Sequence, residues 1–179
     1  MKATGIVRRI DHLGRVVIPI SLRRTLNISE GDRLEVFVDD DSSITFKKYS
    51  PLGGRYDLAQ IYCDSLHKSS GRVVFIADID RIIAVSGASR EEYIAKGVTD
   101  QVKEIVNQSR IYMGTENGFH VLADEKGRFS TIIIAPIIAA GEAAGSVILC
   151  SKTTNAKLGE VEEKLAETAA EFLGRHLSR

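Results

Sequence analysis

The 179-residue sequence predicts an α+β protein in two units, a β-hairpin unit over residues 1–50 and a larger antiparallel sheet with flanking helices over 56–179. Three observations predict this. Short β-branched runs flank one brief helical pattern in the first 50 residues. Pro51, Gly53 and Gly54 then punctuate the chain at 51–55, which reads as a linker. Beyond it, strand-like runs are bracketed by amphipathic helical stretches, an order that favours helices gathered against an antiparallel sheet.

In the first unit, Thr4 to Ile10 and Arg15 to Ile18 read as strands around a turn at Asp11 to Gly14, where glycine permits a left-handed backbone. Arg8 and Arg9 are adjacent, so regular alternation would turn one of them inward; the strand must bend, end or lie at an edge there. Pro19 stops the second strand. Ser21 to Asn27 follows as a helix with Leu22 and Leu26 on one face and Arg23 and Arg24 off it. Residues 34–38 and 44–48 alternate as strands, and the Asp39 to Ser43 cluster between them is a turn. A unit of about 50 residues without disulfide or metal ligands buries only a thin core. An intertwined homodimer through residues 1–50 is the expected remedy, and that segment alone should sediment as a dimer.

In the second unit, Leu58, Ile61, Tyr62 and Leu66 mark a helix over 57–68, and residues 73–77 and 81–85 read as paired strands joined by Asp78 to Asp80. Ser89 and Glu92 have capping-box spacing. Strands are expected at 119–123, 130–138 and 145–151, with Gly141 and Glu142 turning the last pair. A final helix over 158–177 repeats Leu158, Val161, Leu165, Thr168 and Phe172 at steps of three and four, the seam spacing of helix-on-helix packing.

Composition excludes disordered, collagen-like and disulfide-built chains, since 44% of residues are hydrophobic and there are only two cysteines. Cys63 and Cys150, with no C-x-x-C pattern, favour a reducing compartment. Two arginines interrupt the N-terminal apolar residues before a signal-peptide core forms. The longest apolar run, Ile132 to Ala140, contains Pro136 and falls short of the ~18 residues of a membrane span. A cytoplasmic protein without membrane partners is expected. Net charge is zero, yet residues 1–24 hold six basic side chains (Lys2, Arg8, Arg9, Arg15, Arg23, Arg24) against Asp11, a local +5. Residues 25–50 carry −3 and the remainder −2. Such asymmetry points to a polyanion at one end.

The nucleophile-elbow, phosphate-loop, zincin and dinucleotide motifs are absent. Cys63 with His67 is an incomplete metal site that reads better as a helix face. Asp78 and Asp80 suit a hairpin turn better than a catalytic carboxylate pair. Gly141-x-x-x-Gly145 imitates a membrane helix motif inside a β pattern and is set aside. Arg8, Arg9, Arg15, Arg23 and Arg24, by contrast, come from a strand, a turn and a helix of one small unit. Guanidinium groups bind phosphate or a guanine edge bidentately, so this is the composition of a DNA-contacting surface. Surface arginines that merely solvate the unit are the plain alternative.

The run Met1-Lys-Ala-Thr-Gly-Ile-Val-Arg-Arg-Ile-Asp-His-Leu-Gly-Arg-Val-Val-Ile-Pro19, with Leu22-Arg-Arg-Thr-Leu26, Gly31-Asp32, Leu34-Glu-Val-Phe-Val-Asp39 and Lys47-Lys-Tyr49, resembles the AbrB family of transition-state regulators nearly residue for residue. Ile83-Ala-Val-Ser-Gly87, Ala135-Pro136, Gly141-Glu142, Gly145, Gly159-Glu-Val-Glu162 and Glu167-Thr-Ala-Ala170 resemble sporulation regulators of that family, whose second half is a GAF domain. The resemblance implies a domain-swapped dimer of interleaved hairpins, a swapped-hairpin barrel, that binds double-stranded DNA. It places Arg8, Arg15, Arg23 and Arg24 on the principal DNA-contacting positions, with Arg9, Lys47 and Lys48 in support. Ile20-Ser21, where relatives often carry Glu, and Asn27 depart from the pattern without removing a basic position.

A homotetramer joined through the GAF terminal helices, a nucleoid-associated location, a sporulation-type regulatory role and no cofactor complete what it implies. Three alternatives stand beside it. One is a sensor of a small molecule or protein, with its ligand between the sheet and residues 86–120 and DNA binding secondary. Another is a sulfoxide reductase of GAF type using Cys63 or Cys150. The last is an antitoxin sharing the hairpin head, although such tails are usually short and disordered whereas residues 56–179 are patterned to fold.

Overall fold

The computed structural model describes residues 4–26, 28–53, 55–115, 119–123, 128–153 and 158–177. Lys2, Asn27 and Gly54, invoked above, lie outside them. The chain forms two compact units, Met1–Tyr49 and Ser50–Arg179.

The first unit contains α1 (Ile20–Thr25), β1 (Leu34–Val38) and β2 (Ile44–Lys48). Pro19 caps α1 with φ −58°, a value its ring imposes, and its carbonyl accepts the Arg23 N–H at 2.9 Å. β1 and β2 pair antiparallel where the alternation places them, with Val36 opposite Phe46 and Val38 opposite Ile44. The turn between them is held by Asp39, whose N–H donates to the Ser43 carbonyl. The strands expected at 4–10 and 15–18 differ from expectation, because neither belongs to a sheet. Their β-branched residues favour extended backbone, but a ladder needs a second strand, and the chain offers these two runs none.

The first unit has no buried apolar side chain among its described residues. Val7 is 84% exposed, Val17 72% and Val38 73%. Strand alternation puts Val36, Val38, Ile44 and Phe46 on one face of the ribbon, and all four are exposed.

The second unit is built on a five-stranded antiparallel sheet in the order β4-β3-β9-β8-β5, comprising β3 (Val73–Ala77), β4 (Ile82–Ser86), β5 (Tyr112–Gly114), β8 (Thr131–Ala139) and β9 (Glu142–Ser151). A short pair, β6 (Phe119–His120) and β7 (Arg128–Phe129), stands apart from it. The class is therefore α+β with open antiparallel sheets, as the pattern predicts. Helices α2 (Tyr56–Ser70) and α5 (Glu160–Leu177) cover one face, where Ala59, Cys63, Leu66, Ala166 and Leu173 pack on Val74, Ile76, Ile133 and Leu149. The other face carries α3 (Arg90–Tyr93) and α4 (Asp100–Asn107), with Tyr93, Val102 and Ile105 against Phe75, Ile134 and Ile148. Burial on both faces explains why β8 and β9 read as continuous apolar runs rather than alternating ones.

Several local expectations shift. Leu52, inside the stretch read as a linker, is fully buried in the core beneath α2 and α5. The Ser89 hydroxyl makes no capping bond, and α3 stops after one turn; the cap that forms is Thr99, which accepts from Val102 N–H to open α4. The seam expected on the last helix meets the core only in part: Leu158 is buried and Leu165 packs against the core, while Val161 and Phe172 are left exposed. The face of α5 that meets the sheet carries Ala166, Ala169, Ala170, Leu173 and Gly174, because small side chains let the helix sit close.

Candidate nucleic-acid interface

The basic residues of the first unit sit on three local structures. The Asp11–Arg15 turn comes first. Asp11 N–H donates to the Arg15 carbonyl and Gly14 N–H to the Asp11 carbonyl, both at 3.0 Å, while Gly14 takes φ +76°. The Asp11 carboxylate accepts the backbone N–H groups of Leu13 and Arg15 at 2.9 Å and the Arg15 Nε–H at 2.8 Å. The Arg15 N–H foremost, with these other donors, holds the Asp11 carboxyl below the usual carboxylate range. Arg8 and Arg9 precede the turn, both exposed, and Arg8 donates through Nη1 to the Val7 carbonyl. Their adjacency needs no inward-facing arginine, since this run is outside any sheet.

The last turn of α1 is the second structure. Arg23 and Arg24 fall there, where the helix C-terminus favours positive charge. Arg24 is exposed, but Arg23 is half-buried, with Nε enclosed and without a hydrogen-bond partner. The expectation that both face solvent freely therefore holds for Arg24 alone.

The β1–β2 ribbon is the third. Lys47 and Lys48 occupy opposite faces by alternation, so the ribbon does not bring the two together. Lys47 Nζ lies 4.7 Å from the centre of the Phe37 ring, and Lys48 pairs with Asp32 at 2.9 Å. Sequence reasoning missed the roles of Asp11 and Asp32. The signal was present for Asp11 in an aspartate opening an Asp-x-x-Gly turn four residues before an arginine; Asp32 and Lys48 meet only through the fold.

In the second unit, α2 and α5 leave an outward groove of about 600 Å³ lined by Tyr62, Ser65, Val161, Lys164, Leu165 and Thr168. Tyr62 stacks on Phe172 with ring centres 5.0 Å apart, and Phe172 on His176 at 6.0 Å. Among the described residues, Tyr93, Val98, Val102 and Phe119 pack between the sheet and residues 86–120, with Phe75 contacting both Tyr93 and Phe129.

Other candidate groups have structural roles. The Cys63 thiol donates to the Val74 carbonyl, and burial pushes both thiols well above their ordinary range. His67 Nδ1 lies 2.6 Å from the Arg72 carbonyl. Asp78 accepts from the backbone of Asp80 and Arg81 and from the Ser50 hydroxyl, ordering the β3–β4 turn. No group of three metal-ligating side chains occurs among the described residues, and no described helix is long and apolar enough to cross a membrane.

Comparison with known proteins adds ancestry to this geometry. The family model described as stage V sporulation protein T C-terminal, transcription factor, matches residues 56–178. A model described as antidote-toxin recognition MazE, bacterial antitoxin, matches residues 7–52. Stage V sporulation protein T of Bacillus subtilis (strain 168) is 43% identical over 180 residues, covering 100% of both chains. Transition state regulatory protein AbrB of the same organism is 51% identical over 74 residues, 41% of this chain and 76% of that one. The GAF domain from Acinetobacter phosphoenolpyruvate-protein phosphotransferase superposes with a TM-score of 0.56 at 14% identity, over 74% of this chain and 84% of that one, a likeness of fold. With its C-terminal unit matched by the family model and its full length aligned to a relative at 43% identity, the chain belongs to the stage V sporulation protein T family.

Proposed function

We propose that this protein is a DNA-binding transcription regulator of sporulation-type gene expression, with Arg8, Arg9, Arg15, Arg23 and Arg24 forming the DNA-contacting surface of a dimer. The carrying observation is the first unit itself, which displays Arg8, Arg9, Arg15 and Arg24 outward while leaving its apolar side chains uncovered within one chain. A second copy of residues 1–50, interleaving its hairpins with the first, covers Val36, Val38, Ile44 and Phe46 and supplies the strand partners that residues 4–10 and 15–18 lack. The same copy doubles the basic surface. The enclosed Nε of Arg23 fits this reading, since an unpaired buried N–H favours an acceptor from a partner chain or a phosphate. Of the two lysines, Lys47 is the better supporting contact, because Lys48 already holds Asp32.

The second unit joins dimers into a tetramer through the α2–α5 groove and the exposed Val161 and Phe172. Two linked heads on one duplex raise avidity through effective concentration. Buried, un-ionised thiols support a regulator over a cysteine-dependent enzyme, because the thiolate is the nucleophile.

The test is duplex binding by the full chain across a salt series. The four principal arginines, Arg8, Arg15, Arg23 and Arg24, from each of two chains on phosphate give a log-affinity slope against log salt of about −7. Arg24→Ala, which removes one contact per chain, should reduce that slope by about 2 per dimer. A slope near zero removes the function.

A further inference from the structure

Asp11 is the one acid within the basic first 24 residues, and its charge opposes a surface that meets phosphate. Its contacts suggest why it is there. Oδ1 accepts two backbone N–H groups that form the turn, and Oδ2 lies 2.8 Å from Arg15 Nε. One carboxylate thus shapes the loop and engages one edge of the guanidinium carried by that loop. The Arg15 side chain is 68% exposed, so the pair contributes little to folding stability; what it sets is direction.

A guanidinium has five N–H donors in a rigid fork. With Nε committed to Asp11, the edge formed by Nη1 and Nη2 stays open, and no other described residue engages it. That edge donates two parallel hydrogen bonds to guanine O6 and N7 or to phosphate oxygens. We propose that Asp11 is a positioning residue that pre-orders Arg15 for bidentate contact with DNA, an inference that rests on the DNA-binding reading above. A long side chain already held in its bound direction loses less freedom on binding, so the contact is tighter and more selective.

Simple electrostatics makes the opposite forecast. Removing a carboxylate adds one positive charge per chain and should tighten binding to every duplex. Two substitutions separate these effects. Asp11→Asn keeps an oxygen for the Leu13 and Arg15 backbone N–H groups but presents an amide N–H₂ to Arg15 Nε. Asp11→Glu keeps the charge while moving the carboxylate by one methylene.

The experiment uses the full-length protein as wild type, D11N, D11E, R15A and both double variants. Each is titrated by fluorescence anisotropy against a duplex selected from a random pool and against a scrambled duplex, with unfolding midpoints compared. Positioning requires that D11N and D11E each weaken selected-duplex binding by about three- to tenfold, a fraction of one bidentate contact. It also requires a lower ratio of selected to scrambled affinity and no further effect of either change in the R15A background. Tighter binding by D11N on both duplexes overturns the inference, as does equal weakening with and without Arg15. If R15A itself binds like wild type, Arg15 has no place in the DNA surface and the inference falls with that reading. Weakening by R15A with none by D11N or D11E leaves the reading standing and removes the role of Asp11.

Discussion

Gly174 lies so close to β8 that a Cβ on it would stand 2.1 Å from the carbonyl oxygen of Ile138. The absent side chain is what lets α5 settle on the sheet beside Ala166, Ala169, Ala170 and Leu173.

Gly174→Ala therefore sets two effects against each other. Helix propensity favours alanine by about 1 kcal/mol, whereas crowding in a packed core typically costs about 1–3 kcal/mol. Contact with backbone rather than with a flexible side chain puts the cost at the upper end. The expected outcome is net destabilisation and a thermal midpoint lowered by about 2–8 °C. A midpoint raised in calorimetry would show that α5 can move off Ile138 at little expense.

Arg72 donates through Nε and Nη2 to one oxygen of Glu162, at 3.2 and 2.9 Å, while the other accepts Gly159 N–H at 3.0 Å, tying the start of α5 to the α2–β3 connection. Burial pushes the Glu162 carboxyl upward, but the Gly159 N–H and the Arg72 guanidinium outweigh it, leaving the group below its ordinary range. A carboxylate depressed in the folded state stabilises above its unfolded pKa, and this contribution is lost as pH falls through the folded value. Stability of the wild type should thus decline more steeply than that of Glu162→Gln as pH drops below about 4.5. Denaturant midpoints at pH 7 and pH 3 check this, with a constant gap between the two proteins counting against it.

The two assembly surfaces should break independently. Phe46→Asp places a charge on the exposed ribbon face, where a lone chain would tolerate it; in an interleaved dimer the charge is buried without a partner. Sedimentation at micromolar concentration should show tetramers reduced to dimers joined only through the second units, with loss of DNA binding. Phe172→Glu, on the outer stripe of α5, should instead yield dimers that bind one duplex site but lose the avidity of linked heads. Loss of both levels from either change would mean that the surfaces are not separable.

Much of the secondary structure was legible from pattern, because it depends on local chemistry. The β1–β2 ribbon and its Asp39–Ser43 turn fall where alternation and turn residues place them. Helix α2 and the β8–β9 hairpin, with Ala140 and Gly141 at positive φ, follow from periodicity and turn preference. The misses have two causes. β5 and β7 are three and two residues long, too short to carry a periodic signal. The Ser89–Glu92 spacing suits a capping box, but α3 breaks off after Tyr93, whose ring is drawn onto Phe75.

The candidate interface divides in the same way. The abundance of arginines at one end, and their attachment to a turn and a helix, are properties of the chain order. Which of them are open to a ligand is a matter of packing: Arg23 is half-enclosed, Lys48 is held by Asp32, and Arg15 is directed by Asp11. The seam on α5 is another instance. Its period was readable, but the side of the helix that met the sheet depended on where small residues allowed backbone to approach, and that choice left Val161 and Phe172 outside. Residue order sets periodicity, turns and charge because these act over a few neighbours. Pairings between distant side chains, and the face each element buries, come from the competition for close packing across the whole folded unit.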